Sequence, residues 1–171
     1  MWMRIIDIDT AILIWVRNLE RGSVNKIMRT GTRLGDATSW TWLSLILFAA
    51  GPLHLALRVG LGALVGALTA QVLKQTWKRQ RPSVKLEGFE ALVVPPDEFS
   101  FPSGHTATAF CVLAAVAGVS QALTVLFTVF AIWVALSRIY LGAHFPLDVL
   151  VGAMVGVLCG HALQGIVVQL T

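Results

Sequence analysis

Charge is what this sequence of 171 residues has least of: Asp, Glu, Lys and Arg together make up 13% of it, against about a quarter in an ordinary soluble domain. Cysteine is almost missing as well. The two that occur, Cys111 and Cys159, lie in apolar runs without C-x-x-C spacing, so they suggest no redox or metal chemistry and read as small buried hydrophobes. Acidic residues number nine and form no set suited to magnesium. The nearest pair, Asp7 and Asp9, stands at i and i+2, positions that point apart on a helix. A signal peptide is not expected either, because those two aspartates interrupt the N-terminal apolar stretch and no small-residue cleavage site follows; the segment is expected to stay on the protein.

What is present is apolar. Hydrophobic residues make up 56% of the chain and the mean hydropathy is +0.76, the profile of an integral membrane protein. The net charge of +4 comes from basic residues in two blocks beside apolar stretches, which points to anionic lipid and not to nucleic acid. A bilayer core of roughly 30 Å needs about 20 helical residues. That ruler picks out spans near 39–57, 59–77, 104–119, 121–138 and 147–169. The expected fold is therefore all-α: an integral-membrane helical bundle of about five transmembrane helices, with residues 1–171 forming one domain.

Residues 1–37 are expected to lie at the interface. Ile5, Ile8, Ile12 and Trp15 share one helical face while Arg4, Asp7 and Arg17 fall elsewhere, which suits an N-terminal amphipathic helix lying on the membrane. Residues 22–37 are basic and glycine-interrupted, either a second interfacial segment or a loop. "GLGALVGALTA" and "GAMVGVLCG" supply small faces for close helix packing. His54 and His161 have no matching partner and read as structural. The polar block 78–102 is longer than the usual connection, a length that is often functional.

Three motifs carry chemistry. In "KQTWKRQRP", Lys74 and Arg81 stand seven residues apart, about two helical turns, so both project from one side before Pro82 stops the helix. Such a pair suits phosphate; the plainer reading is snorkelling at a membrane boundary, which fits Lys78 and Arg79 better. In "PSGH", Ser103 can cap a helix whose free N–H groups face an anion, Gly104 permits close approach, and His105 stands where it can pass a proton. In "SRIYLGAHFPLDVLVG", Arg138 ends one span while His144 and Asp148 bracket the start of the next. Histidine and aspartate four apart can hydrogen-bond, which fixes the imidazole tautomer and frees the other nitrogen to attack. A structural His–Asp pair is the bland alternative. If the spans are real, all three motifs lie at the same membrane face, where ionisable groups are functional candidates by default.

In this order the motifs resemble the signature of the type 2 phosphatidic acid phosphatase (PAP2) superfamily: K-x6-R-P at Lys74 to Pro82, P-S-G-H at Pro102 to His105, and S-R-x5-H-x3-D at Ser137 to Asp148. The resemblance covers residues 74–152, and "RLGDATSW" also looks like small bacterial members. It implies a helical-bundle phosphatase that needs no metal and no cofactor and works through a phosphohistidine. His144 would be the nucleophile oriented by Asp148, and His105 would protonate the leaving oxygen and then activate water. Lys74, Arg81, Ser103, the Gly104 N–H and Arg138 would bind the phosphoryl oxygens.

The function expected is hydrolysis of a lipid phosphomonoester or diphosphate, of the phosphatidic acid, phosphatidylglycerol phosphate or polyprenyl diphosphate type, in a bacterial inner membrane. Two alternatives stand beside it: a lipid phosphotransferase using the same intermediate, and a non-catalytic phosphate-lipid binding or transport protein. A vanadium-dependent haloperoxidase shares the oxyanion cradle, but those relatives are soluble and larger. With five spans the N-terminus and the motifs share a side, and Arg4, Arg17, Arg21, Lys26, Arg29 and Arg33 favour the cytoplasm for it. Were residues 5–18 to span, the motifs would face the opposite side.

Overall fold

The computed structural model describes residues 2–95 and 97–170, with side chains from 7 to 167 apart from 96. These residues form eight helices and no β-strand: α1 Trp2–Arg17, α2 Gly22–Leu34, α3 Ala37–Ala50, α4 Leu53–Trp77, α5 Pro82–Lys85, α6 Gly104–Val116, α7 Gln121–Tyr140 and α8 Pro146–Leu170. A single antiparallel bridge joins Gln80 to Phe99.

All five expected spans occur as helices, but not with equal reach. Among the described residues α4, α7 and α8 are long and apolar enough to cross a membrane, with mean hydropathies of 1.6, 2.0 and 1.8. α3 and α6 are apolar but have only 14 and 13 residues, about 20 Å each at 1.5 Å per residue. The expected 39–57 span ends early because Gly51 closes α3 and Pro52 stands at the N-cap of α4, where its missing N–H costs nothing. α4 consequently starts six residues before the expected 59. Gly118 adopts a φ of +87° and separates α6 from α7. The turn is completed when the Ser120 hydroxyl accepts from Leu123 N at 3.2 Å.

α6 is the innermost helix, and nine of its thirteen residues are buried. α4 and α8 flank it with their glycines. A Cβ at Gly66 would lie 2.8 Å from Thr108 Cα, and one at Gly152 would lie 2.7 Å from Ser103 O. The small-residue stripes therefore do what the sequence suggests: they let three backbones approach closely where lipid offers no hydrophobic drive. Cys111 and Cys159 are free thiols, the first buried and the second half-buried. Leu68, Val72, Leu126, Val129, Met154 and Leu158, all more than half exposed, belong to an outward apolar surface that matches a lipid environment.

Of residues 22–37, open between loop and interfacial segment, 22–34 form a helix. The only tyrosine pins it: the Tyr140 hydroxyl accepts from Arg21 N at 3.0 Å and donates to Asn25 Oδ1 at 2.8 Å. α1 exposes Ile8, Ile12 and Trp15 as an interfacial face should, but it also buries Asp9 and Leu13 against the bundle. The side chains of Arg4 and Ile5, part of the same expectation, lie outside the described residues.

Candidate active site

The end of α4, the start of α6, the end of α7 and the start of α8 meet at one end of the bundle and bring all eight candidate residues together. Lys74 is 3% exposed in the last turn of α4. The helix does not run on to Arg81, as the seven-residue spacing implies. It ends at Trp77, with Lys78 in the left-handed region at φ 46°. Arg81 returns from the extended backbone before α5. Its Nη1 donates to Ala143 O at 2.8 Å and its Nε to Asp97 O at 2.8 Å. Lys74 and Arg81 converge through a third residue that sequence reasoning missed. The Asp97 carboxylate accepts from Lys74 Nζ at 2.7 and 2.6 Å and from Arg81 Nη2 at 2.6 Å. Burial opposes ionisation of Asp97, but the hydrogen bonds and charges of Lys74 and Arg81 outweigh it and hold the carboxyl below its ordinary value.

His144 lies in the short connection between α7 and α8 and is 1% exposed. Its Nδ1 is 2.7 Å from Ser100 O and 3.7 Å from Asp148 Oδ2. The close partner is thus a backbone carbonyl, with the aspartate behind it at ion-pair distance. A carbonyl only accepts, so Nδ1 carries the proton and Nε2 keeps a lone pair. That lone pair stands 3.4 Å from Arg81 Nη1. Burial first, then the positive charges of Arg138, Arg81 and Lys74, hold the His144 ring neutral well below its ordinary range.

Asp148 is fixed from three sides. Its Oδ2 accepts from Phe145 N at 2.9 Å, its Oδ1 accepts from Arg79 Nη1 at 2.6 Å, and its carbonyl accepts from Ser103 N at 2.9 Å. Arg79 is therefore not a snorkelling boundary residue. Its other arm, Nη2, donates to Asp9 Oδ2 at 2.6 Å, and Asp9 Oδ1 accepts from Leu147 N at 2.7 Å. Asp9, set aside as half of a poor metal pair, is a buried anchor that ties α1 to the head of α8. Among the described residues no group of three or more His, Cys, Asp or Glu is placed to hold a metal ion.

At the head of α6, Ser103 stands at the N-cap but makes no side-chain cap bond among the described residues; its hydroxyl faces Thr106 Oγ1 at 3.0 Å. A Cβ on Gly104 would meet Ala70 Cβ only at 3.9 Å and Lys74 Cε at 4.0 Å. Space therefore remains above the first N–H groups of the helix, which have no intrahelical acceptors. His105 Nε2 lies 2.5 Å from Asp36 Oδ1. Asp36 was not singled out, although "RLGDATSW" was the stretch whose likeness could have found it. Arg138 is 2% exposed. Its Nη1 donates to Thr32 Oγ1, while its Nε and Nη2 have no partner among the described residues. Leaving such donors unpaired in a buried site is costly unless an anion takes them. His54 and His161 lie roughly 30 and 20 Å along their helices from Lys74 and Asp148.

A cavity of about 640 Å³ leads away from this cluster. Lys74, Arg81, His105, Arg138 and His144 form its polar end, and it continues between α3 and α4 as far as Ala56. That is about 27 Å along α4. Leu45, Phe48 and Leu64, more than half exposed, form its lip on the bundle surface. The arrangement presents a neutral imidazole with a free lone pair, three cations and a helix start at the foot of an apolar groove that opens sideways.

A family profile described as the PAP2 superfamily matches residues 55–170. The decaprenylphosphoryl-5-phosphoribose phosphatase of Mycobacterium tuberculosis is 36% identical over 129 residues, covering 73% of this chain and 71% of that protein. Phosphatidylglycerophosphatase B of Bacillus subtilis is 34% identical over 109 residues, 57% of this chain, and the match spans only 51% of that relative's length. The crystal structure of a transmembrane PAP2-type phosphatidylglycerolphosphate phosphatase from Bacillus subtilis superimposes with a TM-score of 0.83 at 27% identity, covering 98% of this chain and 88% of that one.

Proposed function

The chain belongs to the PAP2 superfamily, and we propose that it is a metal-independent lipid phosphatase of the bacterial inner membrane, residues 1–171 acting as one catalytic unit. Its substrate is a lipid phosphomonoester or diphosphate. The observation that carries this reading is the His144 ring: Nδ1 is held by Ser100 O at 2.7 Å, so the lone pair of Nε2 is directed toward Arg81 and the cavity.

In the proposed reaction the phosphoryl group takes the place of the Asp97 carboxylate on Lys74 and Arg81, with Arg138, Ser103 and the Gly104 N–H on its remaining oxygens. Nε2 of His144 attacks phosphorus, the N–P bond forms, and the P–O bond to the lipid breaks. His105, held by Asp36, gives its proton to the leaving oxygen. It then takes a proton from water, whose oxygen attacks phosphorus while the N–P bond breaks, releasing inorganic phosphate. Asp148 supports the charge that develops on the His144 ring. Positioned cations and N–H groups act here where charge gathers on the equatorial oxygens, and a positioned acid–base residue is worth about 100- to 10,000-fold.

The test is phosphate release from a panel of lipid phosphates by wild type, His144→Ala and His105→Ala. Release by wild type and loss in His144→Ala is expected. Release that persists in His144→Ala sinks the covalent route, and no release by wild type from any lipid sinks the phosphatase reading.

A further inference from the structure

A second cavity of about 640 Å³ opens on the other side of the same cluster. α2 contributes Arg29, Thr32 and Arg33, with the start of α3 and residues 92–94 opposite. His105, Arg138 and Ala37 line both cavities, so a molecule in the groove and one in this chamber meet at the imidazole and the guanidinium.

Arg29, Arg33 and Arg138 line the chamber against one carboxylate, Asp36, so its charge is net positive. Arg29 and Arg33 are exposed, and neither side chain has a hydrogen-bond or ion-pair partner among the described residues. The carboxylate that could neutralise them, Asp36, is taken by His105. Positions 29, 32 and 33 share one helical face, where residues three or four apart have Cβ atoms about 5 to 6 Å from one another. Thr32 accepts from Arg138, so Arg29, one turn before it, and Arg33, next after it, line the same chamber as the arginine whose Nε and Nη2 have no partner among the described residues. A lipid with a single phosphate would satisfy the inner cations and leave the outer pair empty.

Resting on the phosphatase reading above, we propose that Arg29 and Arg33 form a subsite for a second phosphoryl group. The favoured substrate is then a lipid whose scissile phosphomonoester is joined through a short polyol to a phosphodiester. The scissile group sits on Lys74, Arg81 and Arg138, the polyol oxygen passes His105, the phosphodiester sits on Arg29 and Arg33, and the apolar chains follow the groove past Ala37.

Steady-state kinetics of the full chain in phosphatidylcholine nanodiscs test this, comparing phosphatidic acid with phosphatidylglycerol phosphate in wild type, Arg29→Gln/Arg33→Gln and Arg29→Lys/Arg33→Lys. The glutamine variant is expected to raise KM for the two-phosphoryl lipid about tenfold, the effect of losing two exposed ion pairs. Its kcat stays within about twofold, KM for phosphatidic acid is unchanged, and lysine restores most of the loss. Equal KM shifts for both lipids, or no shift for either, overturn the subsite. A shift confined to inhibition by added inorganic phosphate assigns the chamber to the free product and overturns it too. Binding of the same two lipids to His144→Ala protein, with and without the Arg29 and Arg33 substitutions, reads the subsite without turnover. Loss of preference for the two-phosphoryl lipid there supports the proposal even if wild type releases no phosphate, whereas unchanged preference overturns it.

Discussion

Lys74 Nζ is gripped by both carboxylate oxygens of Asp97, at 2.7 and 2.6 Å. The cradle is thus filled by a group of the protein's own, with the charge and bite of a phosphoryl edge. Among the described residues Asp97 is the one side-chain partner of Lys74, and in the proposed reaction it is the group that a substrate displaces. Asp97→Asn should therefore strengthen inhibition by inorganic phosphate by about three- to tenfold at neutral pH, read as a lower inhibition constant. Unchanged inhibition would mean that the carboxylate leaves the cations without competing.

The His144 ring sets a pH dependence. Its folded pKa is depressed by burial and by three neighbouring cations, so the unfolded chain takes up that proton first, near pH 6.5. The neutral ring stabilises the fold fully above that value, and the contribution declines as pH falls below it, by at most about 1.4 kcal/mol per pH unit. Thermal unfolding at pH 7.5 and pH 5.5 should show a larger loss for wild type than for His144→Asn. Identical losses would count against the neutral, buried ring.

Arg79 spans two carboxylates whose side chains are 4% and 0% exposed, those of Asp9 and Asp148. Arg79→Ala takes the guanidinium from both and leaves each carboxylate with its backbone N–H donor, and breaking a buried ion pair costs about 3 kcal/mol or more. A lowered Tm and a kcat reduced about tenfold or more are expected. Arg79→Lys should recover part of the stability but less of the rate, because a single ammonium cannot reproduce the two-armed bridge. Wild-type Tm and kcat in the alanine variant would remove Arg79 from the site.

The groove between α3 and α4 can be narrowed without touching the cations. Gly60 lines it, and a Cβ there would meet the Ser44 side chain only at 3.5 Å, so a side chain is admitted. Gly60→Phe should raise KM for a long-chain lipid phosphate about tenfold and leave a short-chain soluble phosphomonoester unaffected. Equal losses on both would show that chains do not lie in the groove.

The motifs that carried the sequence reading were legible because each holds its residues within one turn, loop or helix end, where spacing constrains geometry. PSGH at the head of α6 and His144 with Asp148 around Pro146 are such cases. Asp97, Asp36, Arg79 and Asp9 were not legible for the opposite reason. Arg79 meets Asp148 and Asp9 across 69 and 70 residues, and Asp36 meets His105 across 69, separations that leave no local pattern. Lys74 and Arg81 show the limit from the other side: their spacing suggested one helical face, whereas a left-handed Lys78 and the shared carboxylate bring them together. Helix boundaries moved where Gly51–Pro52 and Gly118 outweighed hydropathy.

The sideways mouth framed by Leu45, Phe48 and Leu64 changes the units in which this protein should be measured. A substrate that enters there arrives by two-dimensional diffusion within the bilayer, so its effective concentration is a mole fraction among lipids and not a molarity in the tube. Bilayer thickness and viscosity then act on the rate as solvent does for a soluble enzyme, and diluting the substrate with inert lipid should slow the reaction even when the bulk amounts stay fixed.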